Sequence, residues 1–239
     1  MFKYVLTFLF LSLVCCTGSA STVAVNREAP LRNGELVERF SNDSAIGRAG
    51  ENRVEIDVIK NDGEDATWRP NNTAVVRFFF MSASKEWQLK QTFEIEDHAL
   101  AEMQAEVADF NNDGFKDITF VSNQAARGAN EVRTLLIYDT VYDKLIHIRN
   151  SESYPNLYYN KTLDCIDSWM FHGATTTVFL RLEGDQLKEF ASVNTGAELV
   201  VTVIDSDGKA REIRREKMNE EDVYTRYQNF DPPVPYSER

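Results

Sequence analysis

Short apolar or alternating segments recur along the chain from about residue 53, and this pattern constrains the fold more than any other feature. The segments lie at 54–59, 74–81, 87–95, 117–121, 131–139, 144–149, 166–171, 175–183, 186–193, 198–205 and 209–216. The links between them are short and carry Gly, Asn and Asp, as in DSDG at 205–208, which is typical of antiparallel hairpins. The sequence therefore predicts an all-β protein, either an antiparallel β-sandwich or an irregular propeller-like sheet. No repeat of fixed period is present, so a regular propeller is disfavoured.

The composition supports a packed protein and argues against nucleic-acid binding. Hydrophobic residues make up 43% of the 239 residues, and the chain holds 15 Phe, which is enough to bury a core. The net charge is −12, whereas phosphate binding needs clustered Lys and Arg. An acidic chain suits a cation ligand or a basic protein partner, and it equally suits a protein whose charge only keeps it in solution.

Residues 1–20 have the order of a secretory signal peptide. Lys3 precedes an apolar run at 4–14, and Ala20 provides a small residue for cleavage. The apolar run is shorter than the ~20 residues that a membrane-spanning helix needs. Cys16 leaves a second interpretation open, a lipid anchor, although the residues before it fit a lipoprotein signal poorly. The prediction is a periplasmic or secreted protein that touches a membrane only through lipid at Cys16.

The remaining sequence divides by composition into three parts. We predict an N-terminal extension at 21–50, one β domain at 51–228 and a Pro-rich tail at 229–239 that is extended or disordered. Cleavage after Ala20 leaves Cys165 as the single cysteine, so no intramolecular disulfide forms. Apolar residues flank Cys165, which predicts a buried thiol rather than a reactive one.

The stretch DFNNDGFKD at 109–117 has the spacing of a calcium loop. Oxygen-bearing side chains occupy alternate positions, and Gly114 occupies position six, where calcium loops turn sharply. Hard cations such as Ca²⁺ bind oxygen ligands, and no His or Cys within the loop favours a transition metal. The predicted ligands are the side chains of Asp109, Asn111, Asp113 and Asp117 and the carbonyl oxygen of Phe115.

The match to an EF-hand ends after nine positions. Phe120 stands at position twelve, where an EF-hand has a bidentate Glu. The segment DITFV at 117–121 is β-branched and aromatic, so it leaves the loop as a strand. The sequence therefore predicts a strand–loop–strand calcium loop. The alternative is a polar turn without metal, in which Asn and Asp cap backbone groups, and this is our interpretation of the second acidic turn at 205–208.

The motif D-x-N-x-D-G-x-x-D before an apolar strand resembles the calcium loops of FG-GAP and VCBS repeats in secreted β proteins. From about 105 to 215, the order VADFNNDGFKDI, LLIYD, SESYPNLYYN, CIDSW and TTTVF resembles a family of bacterial periplasmic calcium-binding lipoproteins. Members of that family are inhibitors, or immunity proteins, of peptidoglycan-hydrolase effectors of type IV secretion systems. The resemblance implies an all-β fold and an inhibitory role. It also implies calcium ligands at Asp109, Asn111, Asp113, Phe115 and Asp117.

No stretch of the sequence carries a recognisable catalytic motif. The chain has three His, at 98, 147 and 172, and their spacing matches neither a zinc site nor a catalytic triad. Gly-rich phosphate-binding motifs are also missing from the sequence. We therefore predict a protein that is not an enzyme, with a hydrolase of unrecognised site as one alternative.

The segment SESYPNLYYN at 151–160 is the second candidate for a binding surface. Tyrosine is enriched at interface hot spots, so Tyr154, Tyr158 and Tyr159 are predicted to contact a partner, unless they pack on the core. The leading functional hypothesis is a calcium-binding β protein that binds another protein and inhibits a basic peptidoglycan hydrolase. A calcium-dependent adhesion or carbohydrate-binding module is the other alternative.

Overall fold

The computed structural model describes residues 34–61, 70–218 and 222–237. Its strands are β1 (Gly34–Asn42), β2 (Asn52–Asn61), β3 (Asn72–Met81), β4 (Trp87–Asp97), β5 (Glu106–Ala108), β6 (Asp117–Ala125), β7 (Asn130–Asp139), β8 (Lys144–His147), β9 (Tyr158–Asn160), β10 (Cys165–Phe171), β11 (Thr175–Glu183), β12 (Gln186–Thr195), β13 (Glu198–Ile204), β14 (Ala210–Lys217), β15 (Tyr227–Phe230) and β16 (Pro233–Pro235). Short 3-10 turns occur at Ala126–Gly128 and Ser151–Ser153. The predicted signal peptide and Cys16 lie outside the described residues.

The strands form antiparallel sheets whose order follows the chain. Sheet I has the order β1-β2-β3-β4, sheet II has β5-β6-β7-β8, and sheet III has β14-β13-β12-β11-β10-β9. The strands β15 and β16 form a separate hairpin. Every strand pair is antiparallel, and none of the sheets described closes into a barrel. The all-β antiparallel prediction is confirmed.

Sheet II is the middle layer of a stack. Along β7, Leu136 and Tyr138 belong to the hydrophobic core shared with sheet I. Leu135 and Ile137, on the opposite face of the same strand, belong to the core shared with sheet III. Since successive side chains of a strand point to opposite faces, a strand buried on both sides needs a continuous apolar run. This explains the sequence LLIY at 135–138, and the face-to-face packing is that of a β-sandwich.

Sheet III is covered on its outer face by the C-terminal hairpin. Cys165 and Phe179 form a third core with Tyr227 of β15. Cys165 is buried, as its neighbours predicted, and burial raises the pKa of its thiol to about 12. The stack therefore consists of sheet I, sheet II, sheet III and the hairpin.

Two segments are more ordered than their sequences suggest. The strand β1 lies within 21–50, the range that the sequence marked as an extension, and pairs with β2 along its length. The tail was expected to be extended or disordered, and its residues 233–235 form an extended strand, β16, that pairs with β15 in a hairpin. Arg226 and Tyr236 on either side of this hairpin both bind the buried carboxylate of Asp167, which holds the hairpin on sheet III.

No helix in the described part of the chain is long and apolar enough to cross a membrane.

Candidate functional site

The acidic loop 109–117 joins β5 to β6 at one end of the middle sheet. Phe110 is buried in the core between sheets II and III. Phe115 packs against the core between sheets I and II, with its ring centroid 5.6 Å from that of Tyr138. The two apolar residues of the loop are therefore anchored on opposite sides of sheet II. This strand–loop–strand setting is the one that the sequence predicts.

Asp117 holds the loop against the strand β7. Its two carboxylate oxygens accept hydrogen bonds from the backbone N–H groups of Phe110, at 2.7 Å, and Tyr138, at 2.8 Å. The side chain is fully buried, and this burial raises the carboxyl pKa to about 7, with smaller contributions from the charges of Asp113 and Asp109. Asp117 is thus a structural acid that ties the loop to β7.

The other side-chain oxygens of the loop accept hydrogen bonds from backbone N–H groups of the loop itself. The carboxylate of Asp109 accepts the N–H groups of Asp113 and Gly114 at 3.2 and 3.0 Å. Asn111 Oδ1 accepts the Asp113 N–H at 3.2 Å, and Asp113 Oδ1 accepts the Phe115 N–H at 2.9 Å. Gly114 has φ +88°, so the residue predicted for the sharp turn does occupy a left-handed conformation that glycine tolerates.

The candidate ligand atoms of this loop are oxygens, which hard cations such as Ca²⁺ prefer. Asp109 is half-buried and Asp113 is exposed, and each carboxylate oxygen has more than one acceptor position. The side chains of Asp109, Asn111 and Asp113 are therefore the residues that would hold Ca²⁺. Asp117 differs, because its side chain is fully buried beneath the loop while it binds two backbone amides. Within the described ranges, no three His, Cys, Asp or Glu side chains lie close enough to hold a metal ion by themselves.

The second acidic turn is a hairpin turn, as predicted. Asp205 Oδ1 accepts the N–H groups of Asp207 and Lys209 at 3.0 and 2.8 Å. This is the pattern of an Asx turn, in which the side chain replaces a backbone acceptor.

Two of the three candidate tyrosines lie beside the acidic loop. Tyr158 and Tyr159 line a cavity of about 420 Å³ together with Asp109 and Asn112, and we call this cavity the cleft. A hydrogen bond to Asp164, at 2.6 Å, raises the pKa of the Tyr159 hydroxyl to about 12. The structure therefore brings the predicted metal loop and part of the predicted partner surface together.

The third candidate, Tyr154, does not line the cleft. It packs against the core between sheets II and III, and burial raises the pKa of its hydroxyl. This placement corresponds to the packing role that the sequence left open for some of the tyrosines.

The histidines have separate environments. His98 Nδ1 lies 2.9 Å from the carbonyl oxygen of Pro70, and His172 Nε2 lies 2.8 Å from the hydroxyl of Thr176. Burial lowers the pKa of His147, which favours its neutral form.

A second cavity adjoins the cleft, and the sequence did not indicate it. It has a volume of about 370 Å³, and we call it the arginine cavity. Its lining includes Glu106, Glu131, Arg133, Trp169, Phe171 and Arg226. These residues come from β5, β7, β10 and the segment before β15, so no local motif links them. The available signal was the alternation of Trp169 and Phe171 on one face of β10.

Comparisons with known proteins add little to this description of an all-β protein with stacked antiparallel sheets. No protein-family model matches the sequence, and no curated protein matches it. A solved chain described as "Structure of a Xanthomonas Type IV Secretion System related protein" matches with 14% identity, covering 76% of this chain and 98% of that chain, at a TM-score of 0.45. A TM-score below 0.5 is too low for this match to carry an argument about fold or function.

Proposed function

We propose that this chain is an exported calcium-binding β protein that binds another protein and inhibits it, the target being a basic peptidoglycan hydrolase. The observation that carries the calcium part is the inward orientation of Asp109, Asn111 and Asp113, whose backbone hydrogen bonds hold the oxygens in place. A preorganised loop loses less conformational entropy when it binds an ion. When bound, Ca²⁺ would supply positive charge that offsets the repulsion among the loop acids.

The protein-binding part of the proposal rests on charge, surface and sequence resemblance. The net charge of −12 favours association with a basic partner through long-range attraction. The cleft presents Tyr158 and Tyr159 next to the calcium loop, and tyrosine is a common interface anchor. The resemblance of 105–215 to periplasmic inhibitors supplies the class of target.

Export and the lack of an enzymatic role are also part of this proposal. Residues 1–20 would direct the chain to the periplasm or outside the cell, and lipid at Cys16 is the alternative route to a membrane. In this proposal Asp109, Asn111 and Asp113 hold an ion that fixes a binding scaffold, and they do not take part in a reaction.

Calcium binding predicts a rise in thermal stability. A ligand that binds only the folded state adds about 2.7 kcal/mol at a hundredfold excess over its dissociation constant. We expect the melting temperature of the wild type to rise when calcium replaces EDTA, and this rise to disappear in Asp113→Ala. The control is Asp207→Ala, which removes an exposed acid from the second acidic turn and should keep the full calcium effect. An equal calcium effect in wild type and Asp113→Ala would refute the calcium proposal.

Inhibition is tested with purified hydrolases encoded beside this gene. We expect at least one to lose its lysis of peptidoglycan when mixed with the wild type in calcium. A leucine substitution at Tyr158 or Tyr159 should weaken that inhibition, while Tyr142→Leu should not, because Tyr142 is exposed on the β7–β8 turn and does not line the cleft. If none of the neighbouring hydrolases is inhibited, the inhibitory role is wrong, whether or not calcium binds.

A further inference from the structure

A third cavity lies at the edge of sheet I, and we call it the edge cavity. Its volume is about 910 Å³, within the range of ligand sites in proteins. Its lining comes from β1, β2, the start of β3, the end of β4 and the segment 99–102 that follows β4. No described residue lines both this cavity and either the cleft or the arginine cavity. The edge cavity is therefore a separate candidate site.

Asp97, at the end of β4, is a buried acid that lines the edge cavity. It is 4% exposed, and burial raises the pKa of its carboxyl. Its Oδ1 accepts the Ala99 N–H at 2.9 Å, while its Oδ2 has no partner in the described part of the chain. The side-chain atoms there that are both unpartnered and sealed from solvent belong to Arg53, Arg133 and Trp169. The free oxygen of Asp97 is therefore open to the cavity, although buried carboxylates are normally paired.

The charge around the cavity selects a cation. The lining contains three acids, Glu38, Asp97 and Glu102, against one cation, Lys60. Within the described ranges, no three His, Cys, Asp or Glu side chains lie close enough to hold a metal ion. Negative charge that is spread in this way suits an organic cation better than a bare metal ion.

The rim of the cavity is apolar. Val37 and Leu100 line it and are 56% and 61% exposed. A lysine side chain combines a four-carbon apolar stem with a compact ammonium group, so it matches both this rim and the buried carboxylate. Arginine pairs best with two carboxylate oxygens, whereas Asp97 has only one free.

The strand β1 provides a reason for the lysine to belong to a polypeptide. It is the end strand of sheet I, so one of its edges pairs with no strand in the described part of the chain. The register between β1 and β2 shifts at Val37, and a bulge of this kind redirects a side chain. An extended peptide that pairs with a free strand edge places alternate side chains into adjacent pockets.

We propose that the edge cavity binds a lysine side chain of an extended polypeptide segment that lies along β1. The ammonium group donates to Asp97, and the apolar stem packs against Val37 and Leu100. This binding activity goes beyond the inhibitory role proposed above and does not depend on it.

The test is a fluorescence-anisotropy titration of the full chain, in EDTA, with a labelled peptide of the sequence Gly-Val-Lys-Val-Ser-Gly. A second peptide carries norleucine in place of lysine, which keeps the carbon stem and removes the ammonium group. We expect saturable binding of the lysine peptide. The norleucine peptide should bind about tenfold more weakly or worse, because it lacks a hydrogen bond to a charged group.

Two variants, each with a matched control, locate the binding. Asp97→Asn keeps an acceptor for the Ala99 N–H but removes the charge, so its affinity for the lysine peptide should fall about tenfold. Asp207→Asn removes one negative charge from the exposed second acidic turn and should bind as the wild type does. Leu100→Ser should also weaken binding, whereas Val141→Ser, at another exposed apolar residue, should not. If Asp97→Asn does not fold, the exposed Leu100 decides the question.

Five outcomes would overturn the proposal. The lysine peptide does not bind saturably, the norleucine peptide binds as tightly, or a variant binds as tightly as its control. Displacement by butylamine at the concentration of unlabelled peptide would indicate a site for small amines. Dimerisation of the wild type but not of Asp97→Asn, without peptide, would make a second copy of this chain the occupant. Because no hydrolase or calcium is present, these results are independent of the proposed inhibition.

Discussion

Asp117 shows how one residue type serves two purposes within a single motif. Four oxygen-bearing side chains are spaced along the loop, and the sequence alone does not distinguish their roles. The structure separates them by burial, since Asp113 is exposed while Asp117 is fully buried. The buried carboxylate holds the loop to β7 through two backbone amides. Local spacing therefore predicted the loop, but it did not predict which acid supports the others.

The raised pKa of Asp117 predicts a pH-dependent stability in calcium-free buffer. The folded carboxyl has a pKa of about 7, against 3.8 for the ordinary group. Between these values the folded state binds more protons than the unfolded state, so the contribution of Asp117 to the unfolding free energy falls as pH rises. Urea unfolding at pH 4, 5, 6 and 7 should show the difference between wild type and Asp117→Asn shrinking as pH rises. A difference that stays constant across this pH range would contradict the prediction.

The C-terminal hairpin is also held in place by a buried carboxylate. Its strands are short and proline-rich, and a two-stranded hairpin is marginally stable alone. Its stability comes from sheet III, where Asp167 is fully buried beneath it. That carboxylate receives hydrogen bonds from Arg226, Tyr236 and Asn160. A polar anchor of this kind is formed by residues far apart in the chain, so the sequence of the tail indicated only an extended or disordered segment.

Tyr236→Phe tests the anchor. The variant keeps the ring but removes one hydrogen bond to a buried, charged acceptor, which typically contributes about 1.5–3 kcal/mol. We expect the unfolding free energy to fall by that amount and hydrogen exchange to quicken at the Tyr227 amide, which donates to Thr177 Oγ1. Tyr142→Phe is the control, because Tyr142 is 70% exposed. Equal stability of the two variants would mean that the hairpin does not depend on this hydrogen bond.

At the scale of the whole molecule, the middle sheet couples the layers. Eleven of the sixteen described strands, β2–β4, β6–β8 and β10–β14, were predictable, because the alternation of side chains and the turn residues between segments are local signals. The strands β5, β9, β15 and β16 have only three or four residues each, which is too short for such a pattern. The strand β1 was not predicted, since it is an edge strand with mostly exposed side chains and has little apolar periodicity. The order of the sheets and the arginine cavity could not be predicted from the sequence, because β5, β7 and β10 come together only when the layers stack.

Coupling through the middle sheet predicts a single unfolding transition. Leu135 and Leu136 are adjacent and fully buried, but they belong to different cores. Substituting either by Ala should lower the unfolding free energy by about 2–5 kcal/mol and shift the whole transition. Val141→Ala, at a residue that is 80% exposed, should change it by less than about 0.5 kcal/mol. Two separate transitions in either leucine variant, recorded by fluorescence and circular dichroism, would show that the layers unfold independently.

The double anchoring of the acidic loop has a practical consequence for protein engineering. Phe110 and Phe115 fix this loop to cores on both sides of sheet II, so a peptide tag inserted at 109–117 would displace both. The turn at 205–208 has exposed residues and a local Asx hydrogen-bond pattern, and such loop tips tolerate insertions. An epitope or fluorophore for tracking this protein therefore belongs in the second acidic turn.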